Sequence, residues 1–193
     1  MKEIQKTFTP LVIFLTLVMT IGLTLQACAY EDDDDDDEGF SRFLPARMDF
    51  RPADDPQYRE ECGACHLAYP PGMLPARSWQ RIMSGLEDHF GENAELDAQT
   101  ARHITEYLSA NAADRSHTGR APNIARSLGV DAPLRFTETR YFLRKHHEIP
   151  PRLVVNNPDV ESFSRCEACH TGAERGDYDE HQVRIPGVGR WDD

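Results

Sequence analysis

Apolar residues recur at helical spacing in two stretches of the chain. Trp79, Ile82, Met83, Leu86 and Phe90 form one stripe and predict a helix over residues 78–91, capped by Ser78 and stopped by Gly91. Ala101, Ile104 and Leu108 form another and predict a helix over 97–112. The stretch TETRYFLRKHHEIPP predicts a short helix stopped by Pro150 and Pro151. Asp55 followed by Pro56 reads as an N-cap with proline at the first helical position, and Asn157 with Pro158 repeats the design. A helix is therefore expected before each of two cysteine-containing segments. Residues 114–123 lose all periodicity and read as the connection between two units, 41–118 and 119–193. No convincing alternation of apolar and polar residues appears, so the expected fold is mainly α.

The start of the chain is organised differently. Lys2 and Lys6 precede an apolar run, Leu11 to Leu25, too short and too close to the start for a membrane span. Residues 1–29 read as an export signal with two alternative processing routes. The ACA at 27–29 fits cleavage after Ala29. The LQAC at 25–28 resembles a lipobox ending at Cys28, which would then carry lipid and tether the protein to a membrane. Either route places the mature protein outside the cytoplasm, in the periplasm. Residues 30–40, with EDDDDDDE at 31–38, read as an acidic, disordered, solvated linker rather than a calcium site. A net charge of −12 argues against a nucleic-acid partner.

Four of the five cysteines lie in two matching segments, CGACH at 62–66 and CEACH at 166–170. In each, two thiols three residues apart share one face of a helical turn with a histidine beside them. This is the arrangement for covalent haem attachment: Cys62 and Cys65, or Cys166 and Cys169, form thioethers, while His66 or His170 ligates the iron. A structural zinc site would pair its two knuckles across roughly 15 to 20 residues, far less than the span between these segments. A thioredoxin-like site needs a βαβ context, and plain disulfides would not place a histidine after both pairs. Two c-type haems are therefore expected, each itself a large apolar core element between small helical units with extensive loops.

Six further histidines compete for the other side of each iron. At 100° per residue His89 falls beside Ile82 on the apolar stripe, whereas His103 falls opposite Ile104 and Leu108 and faces water. His146 lies between Phe142 and Leu143 on the apolar side of its helix, and His147 sits nearer the polar edge. His117 is in the connection and His181 follows the acidic GDYDE loop. This selects His89 to pair with His66 and His146 to pair with His170. Met83 on the stripe and Met73 in the PPGMLP loop are rival ligands at the first haem, where either would raise the potential relative to two histidines.

These residues resemble the dihaem cytochrome c family of small bacterial periplasmic proteins. The matching stretches run from ECGACHLAYPPGMLPARSWQRIMSGLEDHFGENAELD through YLSANAADRS to RKHHEIPP and CEACHTGAERGDYDEHQVRIPG, covering residues 55 to 187. The resemblance implies a mainly helical electron carrier whose two irons are each held by two histidines. His89 matches the family's histidine before Phe-Gly and His146 the one in its Lys-His-x-Glu-Ile-Pro segment. His181 also lies in a matching stretch and stays open as a ligand of the second haem. The expected partners are redox proteins, a small haem protein and a membrane-bound b-type cytochrome. No organised nucleophile or oxyanion-hole motif accompanies the haems. The competing reading is a haem enzyme or ligand sensor, peroxidase-like, in which one distal ligand leaves the iron.

The two processing routes are separable by experiment. Lipidation predicts that the native protein partitions into detergent and that Cys28→Ala releases it in soluble form, whereas amino-terminal sequencing that begins at Tyr30 identifies cleavage after Ala29.

Overall fold

A computed structural model describes residues 48–129 and 132–191 of the chain, all within a unit running from Pro45 to Asp193. The export signal, Cys28 and the acidic tract lie outside the described residues. Among the described residues six helices carry the fold: α1 (Pro56–Cys62), α2 (Ala76–Met83), α3 (Ala98–Ala110), α4 (Ala121–Ser127), α5 (Arg140–Lys145) and α6 (Cys166–Cys169). Short 3₁₀ turns link them. Among the described residues the only paired strands are the two-residue β1 (Arg184–Ile185) and β2 (Gly189–Arg190), joined as an antiparallel hairpin. The mainly α expectation holds.

Three helix starts follow from their caps. Asp55 Oδ1 accepts from the Tyr58 amide at 2.8 Å, with Pro56 at the first position of α1. Asp97 accepts from the amides of Gln99 and Thr100 and from the Thr100 hydroxyl, which opens α3. Thr139 accepts from the Phe142 amide and opens α5. Helix α3 buries Ile104 and Leu108 against α2, and with Tyr58, Leu74 and Trp79 they form one apolar core. Trp79 fixes the register there by donating from its indole to the Pro71 carbonyl at 2.8 Å.

Other boundaries differ from expectation. Helix α2 begins after Pro75, not at Ser78, whose fully buried hydroxyl instead donates to the Pro133 carbonyl at 2.8 Å. It stops at Met83, because Gly85 leaves helical geometry at φ −132° and ψ 34°, and Leu86–Asp88 form a separate 3₁₀ turn. The predicted helix over 78–91 is thus a helix and a turn, with His89 beyond both. Helix α4 has no counterpart in the apolar pattern. It is short, starts inside the predicted connection, and is held by Ala121 and Ile124 packing with Phe50, Met73 and Tyr141 in a second core. Helix α5 ends at Lys145, well before Pro150 and Pro151, of which Pro151 starts the next 3₁₀ turn. No helix runs from Asn157 into the second cysteine segment. Asn157 does not cap one: its amide donates to the carbonyls of Leu153 and Pro186, anchoring the hairpin.

The first described residues close onto the last. Asp49 accepts from Arg120 Nε at 2.6 Å and from the Tyr178 amide at 2.8 Å, while its carbonyl accepts from the Arg120 amide. Burial opposes the Arg120 charge, but the Asp49 hydrogen bond and the Tyr141 hydroxyl beside it hold that guanidinium's pKa above its ordinary value. Next door, the Phe50 amide donates to the Gly176 carbonyl at 3.0 Å, and its ring meets Phe136 and Tyr178 edge to face. Gly176 ends its 3₁₀ turn at φ +76°, and a Cβ there would collide with the Phe50 carbonyl.

That collision generates a paired prediction. Gly176→Ala combines left-handed strain of about 1–2 kcal/mol with displacement of the Phe50 backbone, and should lower stability by more than about 2 kcal/mol. Gly187→Ala, at φ +72° in open space, should lose only about 1 kcal/mol. Equilibrium denaturant midpoints of the mature protein check the contrast.

Candidate haem-binding sites

At the first site α1 delivers Cys62 as its last residue, and the chain then turns so that Cys65 is exposed and His66 half-buried. Nδ1 of His66 lies 2.7 Å from the Leu67 carbonyl, a contact that places the proton on Nδ1 and leaves Nε2 with a free lone pair. The Tyr69 ring stacks against this imidazole at 5.1 Å. The ring of His89 faces it with centroids 6.1 Å apart and planes 19° from parallel. His89 reaches that place from a turn, not from a helix face. Its backbone pairs with Glu92 in both directions, and Phe90 and Gly91 turn the chain at φ +59° and +106°. Burial, then the nearby His66 and Arg135, lower the His89 pKa and favour the neutral imidazole.

At the second site α6 carries Cys166 and Cys169 one helical turn apart, with His170 as its C-cap. His146 is the C-cap of α5, and its ring faces that of His170 at 6.2 Å, with planes 68° apart. Phe142 stacks on His146 at 3.9 Å, and its carbonyl lies 3.1 Å from His146 Nδ1. The His170 pKa is lowered to about 4, chiefly by burial and then by His146, so this imidazole is neutral at pH 7. Phe163, Ile149, Val160 and Ile185 help to line an open cavity around the pair.

The residues fit two covalently attached haems on three observations. Metal–imidazole bonds of about 2.0–2.1 Å, with a five-membered ring radius near 1.15 Å, put two imidazoles facing one ion about 6.4 Å apart, close to both distances. The Tyr178 hydroxyl and the Trp191 indole N–H are buried without a hydrogen-bond partner in the wall of the second cavity, as an acceptor-bearing group there requires. Burial pushes the Cys62 thiol up to about 11 and Cys166 to about 12. Sulfurs in such apolar surroundings suit a neutral thioether. Among the described residues no three His, Cys, Asp or Glu side chains are grouped to hold a bare metal ion.

The remaining candidates lie elsewhere. His103 pairs with Asp55 at 2.8 Å, and His117 is exposed. Nδ1 of His147 lies 2.8 Å from the Arg144 carbonyl with its ring in solvent. His181 is exposed beside Asp179 at 3.0 Å. Met73 is buried in the second core, and Met83 packs against the first. The apolar pattern did not mark Tyr69, whose hydroxyl donates to the Ser164 carbonyl at 2.5 Å and joins the first site to the segment before Cys166. Phe142 could have been found: it precedes His146 by four residues, the spacing at which helical side chains meet.

The sequence profile of dihaem cytochrome c matches residues 58–178. Among solved structures, the dihaem cytochrome c of Shewanella baltica OS155 is 46% identical over 71% of this chain and 97% of its own, with a TM-score of 0.59. The dihaem cytochrome c of Rhodobacter sphaeroides is 50% identical over 65% of this chain and 98% of its own, with a TM-score of 0.58. A comparison with curated proteins finds no match. With two C-x-x-C-H segments and a facing histidine for each, the chain belongs to the dihaem cytochrome c family, haem-based electron carriers with two covalently bound c-type haems.

Proposed function

We propose that His66 and His89 ligate one iron and His170 and His146 the other, and that the protein passes single electrons between redox partners in the periplasm. When bound, each haem supplies a ferric/ferrous couple. The carrying observation is that both histidine pairs stand at the spacing of one shared ion, 6.1 and 6.2 Å. An iron closed on both sides offers no position to a substrate, so outer-sphere electron exchange is the economical use of such a site. The chain contributes by keeping His89 and His170 neutral through burial, and by tying His66 and His146 through Nδ1 to the Leu67 and Phe142 carbonyls. Partners of matching chemistry are a small haem protein and a membrane-bound b-type cytochrome.

The haem-enzyme or sensor reading requires one distal histidine to leave. Contacts at both residues support the closed reading instead. His89 is held by its two-way backbone pairing with Glu92, and His146 by a ring face and a carbonyl of Phe142.

Two measurements check this reading. The mature protein should exceed its polypeptide mass by two haems that acid acetone does not extract; a single added haem would refute the two-site arrangement. His89→Ala should convert the haem at Cys62 and Cys65 to high spin and let it bind carbon monoxide, and His146→Ala should do the same at Cys166 and Cys169. His103→Ala and His181→Ala should leave both low-spin spectra intact. A low-spin second haem in His146→Ala together with a high-spin one in His181→Ala would move that ligand to the acidic loop.

A further inference from the structure

We infer that the two haem sites, alike in their ligands, are held electronically unlike by the rotation of their imidazole planes, and that Phe142 is the positioning residue that sets this rotation at the second site. The inference rests on the bis-histidine reading above. The planes of His66 and His89 differ by 19° and those of His146 and His170 by 68°, although the two pairs have nearly the same separation. The first pair is close to parallel and the second is close to crossed.

Each ring orientation has a local cause. His66 is fixed by its contact with the Leu67 carbonyl and by the tilted stack of Tyr69, 29° from parallel. His89 has the edge of Phe90 against it at 4.8 Å. His146 cannot turn freely. Its face lies on Phe142 at 12° from parallel, its Nδ1 is tied to the carbonyl of the same residue, and Phe163 stands across it at 87°. His170 is set separately, by Tyr178 at 5.2 Å and 52°. Phe142 is itself buried and braced by Phe136 and Phe163, so the surface it offers to His146 is rigid.

The consequence follows from orbital symmetry. The filled π orbital of an imidazole is perpendicular to its ring plane and raises the iron d orbital that lies in that direction. Two near-parallel rings raise the same d orbital and separate it from its partner. Two crossed rings raise both partners about equally and leave them nearly degenerate. A ferric iron of the first kind gives an ordinary three-line rhombic low-spin spectrum. One of the second kind retains orbital angular momentum and gives a single, strongly anisotropic feature at lower field. Splitting also stabilises the ferric hole, so near-parallel planes contribute a lower potential to the first site. The protein thereby differentiates two identical ligand sets by geometry, a lever distinct from axial-ligand identity.

Electron paramagnetic resonance of the fully oxidised, doubly haem-loaded protein tests this. The expected result is two low-spin species in equal amounts, one rhombic and one with the low-field feature, the latter lost in His146→Ala. In Phe142→Leu the low-field feature should be lost or shifted upfield and the potential of the second site should move, with the rhombic signal unchanged. Phe142→Tyr, which restores an aromatic face, should retain the feature. A residue that merely fills the core would change the unfolding midpoint and leave the g values alone. If Phe142→Leu does not fold, the unsubstituted protein still decides: two rhombic signals, or two low-field ones, overturn the inference while leaving both irons bis-histidine. A high-spin signal in the unsubstituted protein would instead overturn the ligation reading on which it rests. A low-field feature that survives Phe142→Leu unshifted would remove Phe142 from the role.

Discussion

Two imidazoles that share one ion must face each other across about 6 Å with both lone pairs free. The cysteine segments supply only one of the two at each site. In the proposed ligation the other comes from outside, 23 positions after His66 in one case and 24 before His170 in the other, and the fold is the means of bringing it in. At the first site the bend at Gly85 and the Glu92 pairing turn His89 back toward α1. At the second, α5 stops so that its last-turn phenylalanine and its C-cap histidine stand together against His170. The apolar cores lie beside these arrangements and are small, consistent with prosthetic groups forming much of the interior.

Local signals in the sequence were the ones that could be read. The two C-x-x-C-H segments, the Asp55 cap and its proline, and the Asp97 helix all depend on residues a few positions apart. His89 was selected for a reason the structure does not share. Continuing the α2 stripe through Gly85 put its ring inward on a helix, whereas a turn puts it there. That turn is what brings the His89 ring opposite His66. The connection at 114–123 hid the start of α4, since a seven-residue helix gives too few periodic positions to show, and its core partners Phe50 and Tyr141 are remote in sequence. Asn157 and Pro158 imitated a cap, but the asparagine amide was needed by the Leu153 carbonyl and by that of Pro186, in a hairpin some thirty residues later.

Electrostatics and packing act together around the second site. Burial that lowers the His170 pKa to about 4 keeps its lone pair available at neutral pH. The same burial leaves Arg120 dependent on Asp49, and truncating either partner would strand the other as an unpaired charge in a region of low dielectric. The Tyr69 hydroxyl adds a third constraint by linking the ring stacked on His66 to the carbonyl of Ser164, two residues before Cys166. Short, directional contacts thus link the first site to the segment that carries the second.

The closure of Asp49 and Phe50 onto Arg120 and Gly176 bears on the order in which the chain is assembled. On the proposed periplasmic route the chain would cross its membrane from the amino terminus, so these two residues would emerge early and wait, while the turn that receives them would come almost last. Until residue 176 has crossed, Phe50 has no carbonyl to pair with, and the cavity that it helps to line lacks a wall. The second cysteine segment is thus presented to the attachment machinery on an open chain. The strap that closes over it would by then be on the same side of the membrane, and the lock would engage only once translocation is nearly complete.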